Sequence, residues 1–181
     1  MEERVISREI IKEHAVTLFI QNGVDATSIN KLVELCGIAK GTFYLYFKNK
    51  NDLVEEVFDQ YRKDFIIQVI DNNKDIHNVN NFANSLIKYF DEQPIFLIEL
   101  RKHINSFREF DYIEKTVLAF NKIIMSYFKF YEDRTISNIE IYNQAIIVMI
   151  LEVCYQGIVT QEKDETIKIL CDIFKRFFGC D

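Results

Sequence analysis

The chain has 181 residues, 49% of them hydrophobic, and carries a formal net charge of −6 at pH 7. This length is enough for one large domain or two small ones with an ample core. One proline and five glycines leave too few turn residues for a fold rich in β-strands. We therefore predict an all-α protein of about nine helices joined by short polar loops.

The cysteines and the apolar runs exclude several classes of protein. No C-x-x-C pair occurs, so neither a zinc site nor a disulfide framework is indicated, and we expect no metal and no cofactor. The chain opens with Met1-Glu-Glu-Arg and no apolar stretch follows, so we expect no signal peptide. The longest apolar run, residues 145–151, is too short to cross a bilayer. We expect a cytoplasmic protein that does not bind membranes. The four cysteines are Cys36, Cys154, Cys171 and Cys180.

Two helices are predicted at the start of the chain. The first runs from Ser7 to Asn22 and is closed by Gly23, since its apolar residues recur on one face. Thr27 or Ser28 can cap the second helix, because their hydroxyls can accept hydrogen bonds from amides that lack a helical partner. The predicted buried face of the second helix consists of Ile29, Leu32, Val33 and Cys36.

A tight turn and a third, short helix follow. Gly37 stands where the chain must reverse, and glycine takes a positive φ there without steric cost. Phe43 and Phe47 are four residues apart on the third helix and should face inward, as should Leu45 in part. A helix, a glycine turn and a second short helix form the layout of a helix-turn-helix, whose second helix enters the DNA major groove.

The residues left to point outward from the third helix suit a nucleic-acid partner. Lysines displace counterions from phosphates, hydroxyls donate to phosphate oxygens, and a threonine methyl can meet a thymine methyl. Gly41 has no side chain and would let the start of this helix lie close to a groove wall. Residues 38–50 hold three lysines and no acid. The outward set is Lys40, Thr42, Tyr44 and Tyr46, with Lys48 and Lys50 beyond.

The charge is divided unevenly between two predicted domains. Residues 1–50, the predicted DNA-binding domain, hold seven Lys/Arg and six Asp/Glu, a net charge of +1. Residues 51–181, the predicted larger helical domain for effector binding and dimerisation, hold 15 and 22, a net charge of −7. A weakly basic first domain joined to an acidic second domain confines the attraction for DNA to the surface of the first. This distribution argues against a general nucleic-acid coat protein.

These residues resemble the N-terminal domain of the TetR family of transcriptional regulators. The resemblance covers roughly residues 7–55, under a third of the chain, and its motifs are correctly spaced. One departure is Ile29, which stands where some members place a basic or polar residue that reaches the bases. The matching motifs are Phe19-x-x-x-Gly23, Thr27-Ser28-Ile29, and Gly37-Ile38-Ala39-Lys40-Gly41-Thr42-Phe43-Tyr44-x-Tyr46-Phe47-x-Asn49-Lys50-x-x-Leu53.

The resemblance implies a role for each matching residue. Lys40 and Thr42 are expected near the bases, with Gly41 between them. The function implied is that of a repressor released from a palindromic operator by a small ligand, which the many aromatic residues between about 60 and 160 indicate to be mainly apolar or aromatic. The phosphate contacts implied are those of Thr27 or Ser28, Tyr44, Tyr46 and Lys50.

The rest of the chain is predicted to be helical as well. Asn49, with Asp52 in a capping box, opens a long fourth helix whose apolar face continues towards Ile70. This helix would leave the head and enter the second domain, so it is the expected mechanical link. Residues 71–81 are polar and indicate a loop. Further helices are predicted over residues 81–92, 94–106, 111–130, 137–156 and 161–178.

The resemblance places an effector pocket between about residues 60 and 160. Aromatic residues are numerous there, although aromatic residues at helical spacing more often form core. His103 is the most interesting polar candidate, and its simpler interpretation is a partly exposed histidine beside Glu99. The candidate ligand-binding residues are Phe65, Phe90, Phe96, His103, Phe107 and Phe120.

The last two predicted helices carry wide apolar faces. They can belong to the core of the domain, or they can form the four-helix interface of a two-fold dimer that the resemblance implies. Two heads that read successive major grooves need such a symmetric frame. The candidate interface residues are Tyr142, Ile146, Met149, Val153, Ile167, Leu170, Phe174 and Phe177.

Three other readings compete with a ligand-released repressor. A helical di-iron enzyme would need Glu-x-x-His pairs, but Glu99 and His103 are four residues apart and the chain has only three histidines, so we predict no enzyme. A protein partner could replace the small ligand as the controlling agent. A thiol switch would require Cys154 or Cys171 to be reactive, yet both fall on apolar faces. The operator, the regulated genes, the effector and the sign of regulation are not determined by the sequence.

Overall fold

The computed structural model describes residues 6–73, 79–103, 114–120, 122 and 139–178, the last stretch without the side chains of 139–143 and 177–178. All regular structure in these ranges is helical, which confirms the predicted all-α class. The chain divides into two compact units, Met1–Gln60 and Tyr61–Asp181. This division falls inside the fourth helix, whereas the sequence placed the functional boundary at its start.

The first unit contains three short helices and the beginning of a long one. They are α1 (Arg8–Asn22), α2 (Ile29–Cys36), α3 (Lys40–Tyr46) and α4 (Lys50–Phe65).

The predicted helix ends of the first unit are confirmed. Ser7 caps α1 by accepting a hydrogen bond from the amide of Ile10 at 3.3 Å, and Gly23 ends that helix with a φ of 79°. Gly37 ends α2 in the left-handed region, with φ 67° and ψ 32°. A side chain with a Cβ would be strained at both glycines, so the reversal between α2 and α3 depends on residue type.

The core of the first unit is built around phenylalanines. Phe43 and Phe47 of the α3 region are buried, as the sequence predicts, and their ring centroids are 5.6 Å apart. Phe19 of α1 stacks with Phe58 of α4 at 6.4 Å. The prediction that Leu45 faces partly inward is wrong, because this residue is 82% exposed. Burial of Phe43 and Phe47 therefore sets which side of α3 faces outward.

The start and the end of α4 differ from a regular helix. Asn49 accepts a hydrogen bond from the amide of Asp52 at 2.9 Å, as predicted. The Asp52 carboxylate accepts from the amide of Lys48 at 2.8 Å, one residue before the predicted partner. Beyond Phe65 the helix widens into a π-helix over Ile66–Ile70 and then tightens into a 3₁₀ turn over Asp71–Asn73.

The second unit is a bundle of helices around an aromatic core. Its helices are α5 (Val79–Glu92), α6 (Pro94–His103), α7 (residues 114–120), α8 (Ile139–Val159) and α9 (Lys163–Phe178). Helix α5 packs against α6, α8 and α9, and α8 packs against α6 and α9. The predicted end of the helix over residues 94–106 lies outside the described residues. The same holds for most of the helix predicted over residues 111–130 and for the start of the helix predicted over residues 137–156.

Three predicted dimer-interface residues belong to this core instead. Ile146, Leu170 and Phe174 are between 0% and 3% exposed within a single chain, and Phe174 packs against Phe82 of α5 with centroids 5.4 Å apart. Such side chains are already removed from solvent and cannot form an interface without rearrangement. Met149, Val153 and Ile167 stay partly exposed, and the side chains of Tyr142 and Phe177 lie outside the described residues.

A close approach of α8 to α9 depends on Gly157. A Cβ placed on this glycine would meet the side chain of Thr166, with Cβ and Cγ2 at 2.6 Å. Thr166 is itself buried, and its hydroxyl donates to the carbonyl oxygen of Glu162 at 2.7 Å. The two helices can therefore touch at this point only because residue 157 lacks a side chain.

Candidate nucleic-acid interface

Helix α3 presents one side to the core and the opposite side to solvent. We call its exposed residues the α3 face. Tyr44 is 48% and Leu45 82% exposed, while Thr42 between the two sides is half-buried. A helix turns through about 200° in two residues, so Leu45 lies nearly opposite the buried Phe43. This spacing is visible in the sequence and predicts an exposed Leu45. The α3 face consists of Lys40, Gly41, Tyr44 and Leu45.

Gly41 is not required by the packing of the first unit. A Cβ built at this position would have no atom within 4 Å. The residue lies in the first turn of α3, where alanine would be the better helix former. The missing side chain therefore leaves open space on the α3 face, which agrees with the predicted close approach to a groove wall.

Of the two candidates before α2, only Ser28 has a side chain that can reach a phosphate. Thr27 is 3% exposed, and its hydroxyl lies 2.8 Å from the carbonyl oxygen of Gly23 and 3.3 Å from that of Leu18. The prediction of Thr27 as a contact is thereby corrected. Ser28 is exposed and its Oγ accepts from the amide of Lys31 at 3.2 Å. This bond does not use the hydroxyl hydrogen of Ser28, which can be donated to an anion.

The predicted donor role of Tyr46 is also corrected. Its hydroxyl donates to the carbonyl oxygen of Ile6 at 2.8 Å. A phenol has one hydrogen to donate, so this tyrosine cannot also donate to a phosphate. Tyr46 holds the segment before α1 against the end of α3.

The two lysines that follow α3 differ in their surroundings. Lys48 is exposed, whereas the ammonium group of Lys50 donates to the carbonyl oxygen of Asp25 at 3.0 Å and the residue is half-buried. An ammonium group has three hydrogens, and this bond uses one of them. The contact also brings Lys50 next to the turn that precedes Ser28.

Arg8 supports α3 in a way that the sequence analysis missed. Its guanidinium donates to the carbonyl oxygen of Tyr46, at the end of α3, and forms a 2.7 Å ion pair with Glu56 of α4. The same group lies 4.8 Å from the ring centroid of Phe47. These partners are 38 to 48 residues away along the chain, so no local pattern could have indicated them. A cation at the end of a helix also interacts favourably with the helix dipole.

Four of the six predicted ligand-binding residues lie together in one packed aromatic cluster. Phe65 lies at its centre, with ring centroids 4.8 Å from Phe120, 5.6 Å from Phe90 and 6.2 Å from Phe96. All four are at most 1% exposed. The ring of Tyr89 packs against Phe65 with centroids 5.3 Å apart. Its hydroxyl donates to the carbonyl oxygen of Tyr61 at 2.6 Å. Phe107 lies outside the described residues.

Glu99 and His103 form a polar pair at the end of α6. Glu99 is 3% exposed, and its Oε2 lies 3.3 Å from Nε2 of His103. The sequence favoured a partly exposed histidine beside Glu99, and the histidine side chain is 12% exposed. The carboxyl group is the more deeply buried member of the pair, since the Glu99 side chain is 4% exposed.

A groove of about 540 Å³ lies away from the aromatic cluster, at the start of α9. It is open to solvent, and none of its lining residues is aromatic. It therefore does not match the predicted apolar effector site. The groove is lined by Gln161, Glu162, Lys163, Asp164, Glu165 and Lys168.

The described residues hold no group of three or more His, Cys, Asp or Glu side chains placed to bind a metal ion. Cys154 is fully buried, and this burial raises the pKa of its thiol to about 12. Burial also raises the pKa of Cys36 and Cys171. Thiols in such surroundings are poor nucleophiles. No described helix is both long enough and apolar enough to cross a membrane.

Parts of the sequence match known regulators. Residues 11–57 match the family described as bacterial regulatory proteins, tetR family. The chain is 29% identical over 96 residues to the HTH-type dhaKLM operon transcriptional activator DhaS of Lactococcus lactis, a match that covers 53% of the chain and 49% of DhaS. It is 38% identical over 56 residues to the fatty acid metabolism regulator protein of Bacillus subtilis, covering 31% of the chain and 29% of that protein. The chain thus spans about half or less of the length of these curated relatives.

Solved structures show the same fold along nearly the whole chain. The fatty acid degradation regulator FadR from Bacillus halodurans has a TM-score of 0.67 at 17% identity, covering 98% of this chain and 97% of that one. FadR from Bacillus subtilis in complex with stearoyl-CoA also has a TM-score of 0.67, at 18% identity, covering 97% and 100%. This chain and these structures share one class of fold, a helical protein with an N-terminal helix-turn-helix. Residues 11–57 of this chain thus match the N-terminal domain of the tetR family, and the fold is also that of a solved tetR family transcription regulator from Shewanella, with a TM-score of 0.68.

Proposed function

We propose that the chain is a sequence-specific DNA-binding regulator of transcription whose helix α3 enters the major groove. The observation that carries this proposal is the two-sidedness of α3. Phe43 and Phe47 anchor one side in the core, and the α3 face on the other side offers a lysine, a tyrosine hydroxyl and an open glycine. The regulatory, non-enzymatic role of the relatives supports it, and we include in the proposal that the chain has no enzymatic activity and acts in the cytoplasm.

The roles of the individual residues follow from their positions. Lys40 and Thr42 would lie nearest the bases. The exposed hydroxyl of Tyr44 would contact one phosphate, while Ser28 and Lys50 would contact another, since both adjoin the turn before α2. Phosphate contacts position the protein on the duplex, and contacts to base edges supply specificity.

We propose a homodimer on a palindromic operator, with α8 and α9 at the interface. Several apolar side chains of these helices lie outside the core of the single chain and are partly exposed. Among them, Ile169 is 44% exposed. Such residues can be buried by a second copy without disturbing the core. They include Met149, Val153, Ile167, Ile169 and Ile173.

We propose that an apolar or aromatic small molecule controls DNA binding, with repression relieved on its binding. Phe96 and the Glu99–His103 pair lie on the same helix, α6, so a site that opened beside this helix would be mainly apolar with one polar end. Such a ligand acts only if it binds one arrangement of the helices better than another, and the shift in population is limited by that difference in affinity. Helix α4 contributes residues to both units and is the proposed link.

The alternative function is a DNA-binding protein controlled by a protein partner. The tight packing of Phe65, Phe90, Phe96 and Phe120 favours it, because these described aromatic side chains leave almost no surface for a ligand. A small molecule would have to move them apart on binding, at a cost in packing energy.

The first experiment selects bound sequences from a random DNA pool and then compares the wild type with the double variant Tyr44→Phe, Lys50→Ala at two salt concentrations. A palindrome should be enriched, and the variant should bind it more weakly. The variant homodimer loses one lysine contact in each protomer, so the slope of its salt dependence should fall by about two units. Absence of any enriched sequence, at low salt as well, would contradict the DNA-binding proposal.

The second experiment separates the two means of control. Stearoyl-CoA, which the Bacillus subtilis structure contains, and a panel of aromatic compounds are titrated against the protein–operator complex and against the protein alone. Release of DNA by a compound that also binds the protein supports ligand control. If every compound that binds leaves operator affinity unchanged, ligand-released repression is wrong.

A further inference from the structure

Leu45 is the most exposed large hydrophobic residue in the described part of the chain, at 82%. A single exposed leucine is common on protein surfaces and by itself indicates nothing. Its place is what matters here. Leu45 follows Gly41 by four residues and therefore lies on the same side of α3 as the open glycine. It belongs to the face that the proposed function directs at DNA.

The chemistry of this position differs from that of its neighbours. Lys40 and Tyr44 can form hydrogen bonds or ion pairs with phosphates and base edges, but a leucine side chain can do neither. The apolar group that the major groove exposes is the 5-methyl group of thymine. Burying a leucine against that methyl removes apolar surface of both partners from water, whereas a phosphate or a cytosine amino group at the same place would be desolvated without compensation.

We infer that Leu45 is a specificity-determining residue of the proposed DNA interface and selects a thymine by contact with its 5-methyl group. This inference rests on the proposed function. It adds an apolar base contact to the polar contacts of Lys40 and Thr42, and it predicts that each half of the operator contains a thymine whose methyl group contributes to affinity.

The test removes the methyl group without altering base pairing. In the selected operator, each thymine is replaced in turn by deoxyuridine, at the equivalent position of both half-sites, and dissociation constants are measured by fluorescence anisotropy. For the wild type, one such replacement should weaken binding by about fourfold for each methyl group lost, the factor that corresponds to burial of one methyl-sized group. The other replacements should have little effect.

The variant Leu45→Ala completes a cycle with the DNA change. It should bind the thymine operator about as weakly as the wild type binds the deoxyuridine operator, and it should no longer distinguish the two. The matched control is Leu35→Ala, which shortens another exposed leucine of the first unit, 46% exposed and on α2, and should keep the full dependence on the methyl group. Circular dichroism checks that both variants fold.

Two results overturn the inference and are distinct from failure of the proposed function. Wild type and Leu45→Ala can show the same dependence on every thymine methyl, in which case another group reads it. Alternatively, Leu45→Ala can bind the operator as tightly as the wild type. In both cases sequence-specific binding persists, so only the role of Leu45 is lost. If no DNA sequence is selected at all, the proposed function fails and this inference fails with it.

Discussion

The hydroxyl of Tyr46 donates a hydrogen bond to the carbonyl oxygen of Ile6 at 2.8 Å. This bond joins the end of α3 to the segment that leads into α1. The guanidinium of Arg8 reinforces the same junction by donating to the carbonyl oxygen of Tyr46 and pairing with Glu56. A tyrosine that resembles a phosphate ligand in the sequence is therefore part of the support of α3, while Tyr44, two residues earlier, is exposed.

This difference predicts opposite effects for two conservative substitutions. Tyr46→Phe removes a partly buried hydrogen bond and should lower the free energy of unfolding by about 1 kcal/mol, with little change in operator affinity. Tyr44→Phe removes an exposed hydroxyl and should leave unfolding unchanged while weakening operator binding severalfold. Urea unfolding and anisotropy titrations measure both quantities. The assignment is wrong if Tyr46→Phe weakens DNA binding at unchanged stability.

Gly41→Ala should separate folding from DNA binding. The added methyl meets no atom within 4 Å, and alanine is the better helix former by about 0.5–1 kcal/mol. The free protein should therefore be at least as stable as the wild type. Operator affinity should fall tenfold or more if α3 lies as close to the groove wall as proposed. A stable Gly41→Ala protein with wild-type affinity would show that the glycine is not needed for close approach.

Gly157→Ala is the counterpart in the second unit. Here the added Cβ collides with the side chain of Thr166, and overpacking of this kind typically costs about 1–3 kcal/mol. The melting temperature should fall, while the isolated change in helix propensity alone would raise it. Gly41→Ala serves as the control, since it has the same chemistry in open space. An unchanged melting temperature would mean that α8 and α9 can separate at this point without cost.

The thiol of Cys154 should be unreactive in the folded protein. Burial raises its pKa to about 12, so the thiol stays protonated at pH 8, and the thiolate that reacts with iodoacetamide is almost absent. Partly exposed Cys171 provides the comparison within the same unit, and mass spectrometry of labelled peptides measures both rates. Rapid labelling of Cys154 in the native state would restore the hypothesis of a thiol switch.

The same pKa shift has a consequence for stability at high pH. The folded state favours the neutral thiol, so its contribution is complete below the pKa of an unfolded cysteine, near 8.5. It is lost as pH rises from there towards about 12. The buried hydroxyl of Tyr89, whose pKa burial also raises, acts in the same direction. Replacement of Cys154 by alanine should therefore reduce the loss of stability between pH 9 and 11, as measured by urea unfolding.

The sequence by itself determined the features that depend on neighbouring residues. Ser7, Gly23 and Gly37 mark helix ends because capping and positive φ are local properties. The spacing of Phe43 and Phe47 was enough to predict which side of α3 is buried. The scarcity of proline and glycine was sufficient to predict the all-α class, and the motif that these local signals form was sufficient for the resemblance to the TetR family.

Only the tertiary structure decided how individual polar and apolar side chains are used. Thr27 and Tyr46 have suitable chemistry for phosphates, but their hydroxyls are taken up by backbone carbonyls of the first unit. Ile146 and Leu170 look like interface residues, yet neighbouring helices bury them in the core of a single chain. The use of each side chain depends on hydrogen-bonding and packing partners that the fold brings together from distant positions in the chain. A local sequence pattern does not show which of these residues will be in contact.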